Sequence, residues 1–156
     1  MIKTLIRWIS SWLGAALLTT LLAVIIQTQM VIAMLPETAP TVPVSERLSM
    51  TAYDIQHLGS LLFGFVLIAL LVAFLVSELL ARFFPVRLRQ IILIVAGAVA
   101  IFVMLRAMKA QFFDIDIIAG ARNALGYGLL ILSGAIGGAL FARLTRRKRR
   151  SRYAID

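Results

Sequence analysis

The stretch "WISSWLGAALLTTLLAVII", residues 8–26, holds no charged side chain across 19 positions. Residues 58–80, "LGSLLFGFVLIALLVAFLVSELL", hold one, Glu78, across 23 positions. A helix of 19 residues reaches about 28 Å, close to the hydrocarbon thickness of a bilayer. Runs of this length predict helices that cross a membrane. Composition agrees, since 62% of the 156 residues are hydrophobic and only 15% are charged. A soluble domain carries about 25% charged residues. The formal net charge of +9 would suggest nucleic acid in a soluble protein. Here the cations gather at the ends of apolar segments, as topology determinants do.

Two absences narrow the chemistry. The chain has no cysteine, which excludes thiol–disulfide exchange, thiolate zinc sites and iron–sulfur ligation. It has one histidine, His57, so it does not by itself hold a haem between two imidazoles. Neither a cofactor nor a metal is expected.

The reading along the chain is all-α, a polytopic membrane protein built as a four-transmembrane-helix bundle. The first span covers about residues 8–26, preceded by Lys3 and Arg7. A secretory signal peptide is the alternative, with Val31 and Ala33 before a cleavage point. The run is long for such a segment, and Gln27 and Gln29 intervene. A Pro-rich outer loop, 27–44, contains Pro36, Pro40 and Pro43. Ser45 is expected to cap the next helix, with Glu46 in its first turn. An amphipathic extension from residue 45 leads into the second span, about 55–80. Pro85 ends that helix or begins the next, within a short turn crowded by Arg82, Arg87 and Arg89. The third span covers about 90–108, and the fourth about 117–142. A basic tail, 143–156, closes the chain.

Charge asymmetry orients these spans. With the N-terminus cytoplasmic, twelve basic residues lie inside: Lys3, Arg7, Arg82, Arg87, Arg89 and the seven from Arg143 to Arg152. Four lie outside: Arg47, Arg106, Lys109 and Arg122. That bias predicts both termini in the cytoplasm of a bacterial-type inner membrane. Trp8, Trp12, Phe83 and Phe84 fall near the inner interface, and Tyr53, Phe112 and Phe113 near the outer one.

Lipid tails compete for apolar side chains, so helices associate in a membrane through close backbone approach and polar contacts. In the fourth span Gly120, Ala124 and Gly128 are four apart, as are Gly134, Gly138 and Ala142. These stripes predict a central fourth helix crossed by the third or the first. A homodimer face at Gly134 and Gly138 is the alternative.

Five polar residues are expected at one depth at the outer end: Asp54, His57, Arg106, Lys109 and Arg122. They read either as an ion-paired cap, with Asp114 and Asp116 as further acids, or as an anion or quinone-headgroup site with His57 carrying a proton. Glu78 and Arg82 are four apart with the acid first, the favourable order for a helical ion pair. A proton-relay carboxylate is the rival reading of Glu78. Arg143, Arg146, Arg147, Lys148, Arg149, Arg150 and Arg152 follow a span directly and have no groove-reading elements beside them. They read as an anchor for anionic lipid at the cytoplasmic face rather than as a nucleic-acid surface.

Catalytic signals are thin. Ser49 or Ser60 with His57 and Asp54 has no nucleophile turn around it. Asp114 and Asp116 have no further ligands spaced to complete a metal site. The expectation is a small non-catalytic accessory or scaffold subunit that works through its outer polar cluster with a membrane or periplasmic protein. A small transporter or permease component, and an enzyme acting on lipid or quinone at the outer interface, are the alternatives.

Overall fold

The structure is a computed structural model that describes residues 2–36, 42–111 and 118–145, without the side chains of Val86 and Arg87. Among the described residues every regular element is helical: α1 (Ile2–Ala33), α2 (Val44–Leu80), α3 (Val86–Gln111) and α4 (Ala124–Leu144). Single 3-10 turns occupy Ala81–Phe83 and Ala119–Arg122. All four helices are long and apolar enough to cross a membrane. Both α1 and α3 pack on α2 and on α4. Leu61, Ile68, Val72 and Leu75 of α2 face outward. Water penalises such exposure by roughly 25 cal/mol per Å², whereas acyl chains accept it.

Helix limits differ from the sequence reading in instructive places. α2 begins at Val44, and Pro43 rather than Ser45 occupies the cap position. Proline has no N–H to satisfy, and its extended ψ leaves its carbonyl free to accept from the amides of Glu46 and Arg47. Pro85 does the same for α3, accepting from Leu88 and Arg89, so it opens the third helix after the 3-10 turn has closed the second. α4 starts at Ala124, well after residue 117, because Asn123 caps it by accepting from the amide of Leu125 at 3.0 Å. Residue 117 itself lies outside the described residues.

The face that α1 turns inward is small and polar. Ser11, Ala15, Thr19, Ala23 and Gln27, each four residues from the next, are all buried. Trp12 donates its indole N–H to the Leu67 carbonyl of α2 at 3.2 Å. Phe141 of α4 stacks on Phe74 of α2 at 4.2 Å between centroids, and Trp8 meets it edge-on at 5.5 Å. These rings fill the interior towards the tail end of the helices.

α3 and α4 meet backbone to backbone. A Cβ on Gly97 would overlap the Gly134 carbonyl oxygen, one on Gly134 would overlap the Gly97 carbonyl, and one on Gly138 would overlap the Leu93 carbonyl. Gly134 and Gly138 are therefore covered by α3 of the same chain. The stripe of Gly120, Ala124 and Gly128 does not form. Gly120 lies in the 3-10 turn, Ala124 is exposed, and Gly128 faces open space. Gly126 takes over the close approach, receiving the Gly120 carbonyl where a side chain would stand.

Candidate functional site

The end of the molecule that carries the α1–α2 connection, the hairpin end, gathers the polar residues singled out from sequence. They share that end, and there Asp54 and His57 turn to different neighbours. Asp54 is half-buried and turns towards α1, where the Thr28 hydroxyl donates to its Oδ2 at 2.6 Å. The same hydroxyl also lies 3.0 Å from the Val24 carbonyl, and its one proton is better placed for the charged acceptor. Gln29 donates its side-chain amide to the Thr51 hydroxyl at 3.5 Å, one turn further out.

His57 points elsewhere. It is exposed, stacks on Tyr53 at 4.0 Å between centroids, and has its Nδ1 3.0 Å from the Tyr53 carbonyl. Residues three apart on a helix diverge by about 60°, and here that angle separates a contact with α1 from an outward face. Arg106 is exposed on α3 with its guanidinium 5.7 Å from the centre of the Phe102 ring. Lys109 is half-buried near the end of α3, and Arg122 is exposed on the 3-10 turn before α4. The proposed partners Asp114 and Asp116 lie outside the described residues.

Gln27 is a residue that sequence reasoning passed over. Its Oε1 accepts from the Gly120 backbone N–H at 2.6 Å in a buried setting. This bond fixes the chain's entry into α4 against the hairpin end of α1. Every fourth position of α1 is small or polar from Ser11 to Gln27, and that repeat was the available signal. Gln27→Leu leaves the Gly120 amide without an acceptor. It is expected to lower stability by about 1–2 kcal/mol in a detergent unfolding titration.

The opposite, tail end holds the one ion pair among the described residues. Glu78 pairs with Arg89 across the turn between α2 and α3, with side-chain exposures of 29% and 15%. This corrects the expected pairing with Arg82, which is exposed. A pair within one helix would lie along its surface, whereas Arg89 approaches from α3 and shields the carboxylate from two sides. Its Nη2 also donates to the Thr145 hydroxyl at 3.0 Å, so one guanidinium joins α2, α3 and the end of α4. Arg143 is exposed at the end of α4, and Arg146, Arg147, Lys148, Arg149, Arg150 and Arg152 lie outside the described residues.

Between the two ends the interior is filled by Val66, Leu70, Phe74, Leu130 and Phe141. A groove of about 790 Å³ between α2 and α3 opens sideways and is lined almost wholly by apolar side chains. Among the described residues no group of three or more His, Cys, Asp or Glu side chains is placed to hold a metal ion.

Helix lengths make the hairpin end distinctive. Counting back from Glu78, about 20 residues of α2 fill a hydrocarbon layer of about 30 Å. Residues 44–57 would then stand outside it. Residues 28–33 of α1 run beside them, joined through Thr28 to Asp54 and Gln29 to Thr51. On this projecting hairpin Val44, Leu48 and Tyr53 expose 60% or more of their surface.

Fold and composition together define a helical protein with four candidate membrane-spanning helices, in the manner of a multi-pass membrane protein. No family model, no curated protein and no solved structure matches this chain.

Proposed function

We propose that the chain is a non-catalytic accessory or scaffold subunit of a bacterial-type inner membrane, acting through its hairpin end on the outer face. Both termini are cytoplasmic in this reading, and the basic tail rests on anionic lipid. The observation that carries the proposal is the exposure of Val44, Leu48 and Tyr53 on the hairpin end of α2, a helix whose 37 residues exceed the roughly 20 that a hydrocarbon layer needs. Apolar surface in that position marks a protein contact. α1 is retained in this reading, because it supplies Ala15, Ala16, Ala23 and Val24 to the interior. Cleavage after Ala33 would uncover them.

Transport finds less support. The interior between the levels of Asp54 and Glu78 is filled by large side chains, and the groove between α2 and α3 beside it is lined almost wholly by apolar ones, which offer a polar solute no path. Chemistry on a lipid or quinone headgroup would need His57 and Arg122 to line one pocket. His57 instead faces outward on Tyr53.

The absence of cysteine makes orientation directly measurable. Single cysteines at Ser49 and Ser151 are expected to react differently with a membrane-impermeant maleimide in intact cells. Position 49 labels at once, and position 151 labels only after lysis. The reverse pattern would overturn the orientation. Co-purification in mild detergent is expected to retain a stoichiometric protein partner, and elution of the chain alone would overturn the scaffold reading.

A further inference from the structure

A cleft of about 460 Å³ lies between the hairpin ends of α1 and α2, walled by Val31, Ile32, Met50 and Tyr53 together with Thr28, Ser49 and Asp54. It combines apolar walls with one carboxylate. Among the described residues Asp54 forms no ion pair, its partner being the Thr28 hydroxyl. Two cations of the same end are directed elsewhere. Arg47 donates its Nε–H to the Val42 carbonyl at 3.2 Å, and Arg106 lies over Phe102. The segments 37–41 and 112–117 read "ETAPT" and "FFDIDI", and neither contains a basic residue.

A half-buried carboxylate without a countercharge gains from any cation brought against it, more so where apolar walls exclude water. The cleft chemistry matches one kind of side chain in particular. Lysine and arginine carry a long aliphatic stem that lies along apolar surface and a cationic head that reaches an acid. A lipid amine offers the same charge. However, residues 49–54 stand past the expected hydrocarbon boundary, and the apolar surface continues further outward through Leu48 and Val44. A protein surface covers cleft and rim together, and a headgroup does not.

We infer that this cleft receives a lysine or arginine side chain from a partner protein on the outer face. The inference rests on the scaffold reading and adds the chemistry of the partner's anchor.

A photo-cross-linking amino acid placed at Met50 of the full chain, in its native membranes, tests it. The expected adduct is with a protein, and peptide mapping puts the attachment within about one helical turn of a lysine or arginine. Asp54→Asn keeps an acceptor for Thr28 while removing the charge, and is expected to reduce adduct yield about tenfold. Ser49→Lys, which places a competing cation in the cleft lining, is expected to reduce it as well, whereas His57→Ala leaves it unchanged. Thermal unfolding of each variant in detergent controls for loss of structure. An adduct with phospholipid or with a second copy of the chain overturns the inference. So does a protein adduct indifferent to Asp54→Asn, and that outcome leaves the scaffold reading standing. No protein adduct from position 50, 48 or 44 overturns both.

Discussion

Gly97→Leu is expected to leave almost no folded protein in mild detergent, and Gly97→Ala to cost about 2–3 kcal/mol by SDS-titration unfolding. The reason is reciprocal backbone contact. A Cβ at Gly97 meets the Gly134 carbonyl, and no side-chain rotation can clear a carbonyl held in a helix. The helices must separate, and separation also lifts Gly138 from Leu93, so the loss propagates along the seam. Gly64 and Gly128 provide the contrast, because nothing stands near a Cβ at either position. Gly128→Ala should change stability by less than about 1 kcal/mol and favour the fold slightly through helix propensity. If the Gly97 and Gly128 variants unfold alike, the α3–α4 packing described above is wrong.

Arg89→Ala is expected to cost about 2–3 kcal/mol. That value lies between the small contribution of exposed pairs and the larger penalty for stranding one partner of a buried pair. Partial exposure of both side chains argues against the upper limit. Loss of Arg89 removes the countercharge of Glu78 and one donor to Thr145 together. Glu78→Gln should cost less, since it removes the charge that needs compensation. Arg82→Ala should stay within about 0.5 kcal/mol, as an exposed surface change does. Equal effects of Arg82→Ala and Arg89→Ala in the same titration would restore the pairing expected from sequence.

The four helices were legible because uninterrupted apolar length is a local property. Residues 8–26 and 58–80 carry that signal without reference to anything else in the chain. The turn between α2 and α3 was legible through Pro85 for a similar reason. What failed required knowledge of a neighbour. Spacing placed Glu78 beside Arg82, but a carboxylate pairs with whichever cation reaches it, and Arg89 arrives from another helix. Spacing also put Asp54 and His57 together, although only one of the two directions has α1 in front of it. The stripe through Gly120 was misread because a helical repeat was assumed across a segment that is a 3-10 turn. The small and polar repeat on α1 from Ser11 to Gln27 was visible in the letters. The Leu, Val and Ile residues between those positions mask it in the run's average hydrophobicity.

α4 is the shortest of the four helices and the most dependent on a neighbour for covering its glycines. Polypeptides are made from the N-terminus, so α4 is also made after the three helices it packs with. In a bilayer those three would therefore wait with the glycine-facing strip of α3 turned to lipid until α4 arrives to cover it. A chain stopped short of residue 124 would carry that unsealed strip permanently, and its recognition as unfinished would follow from this one seam.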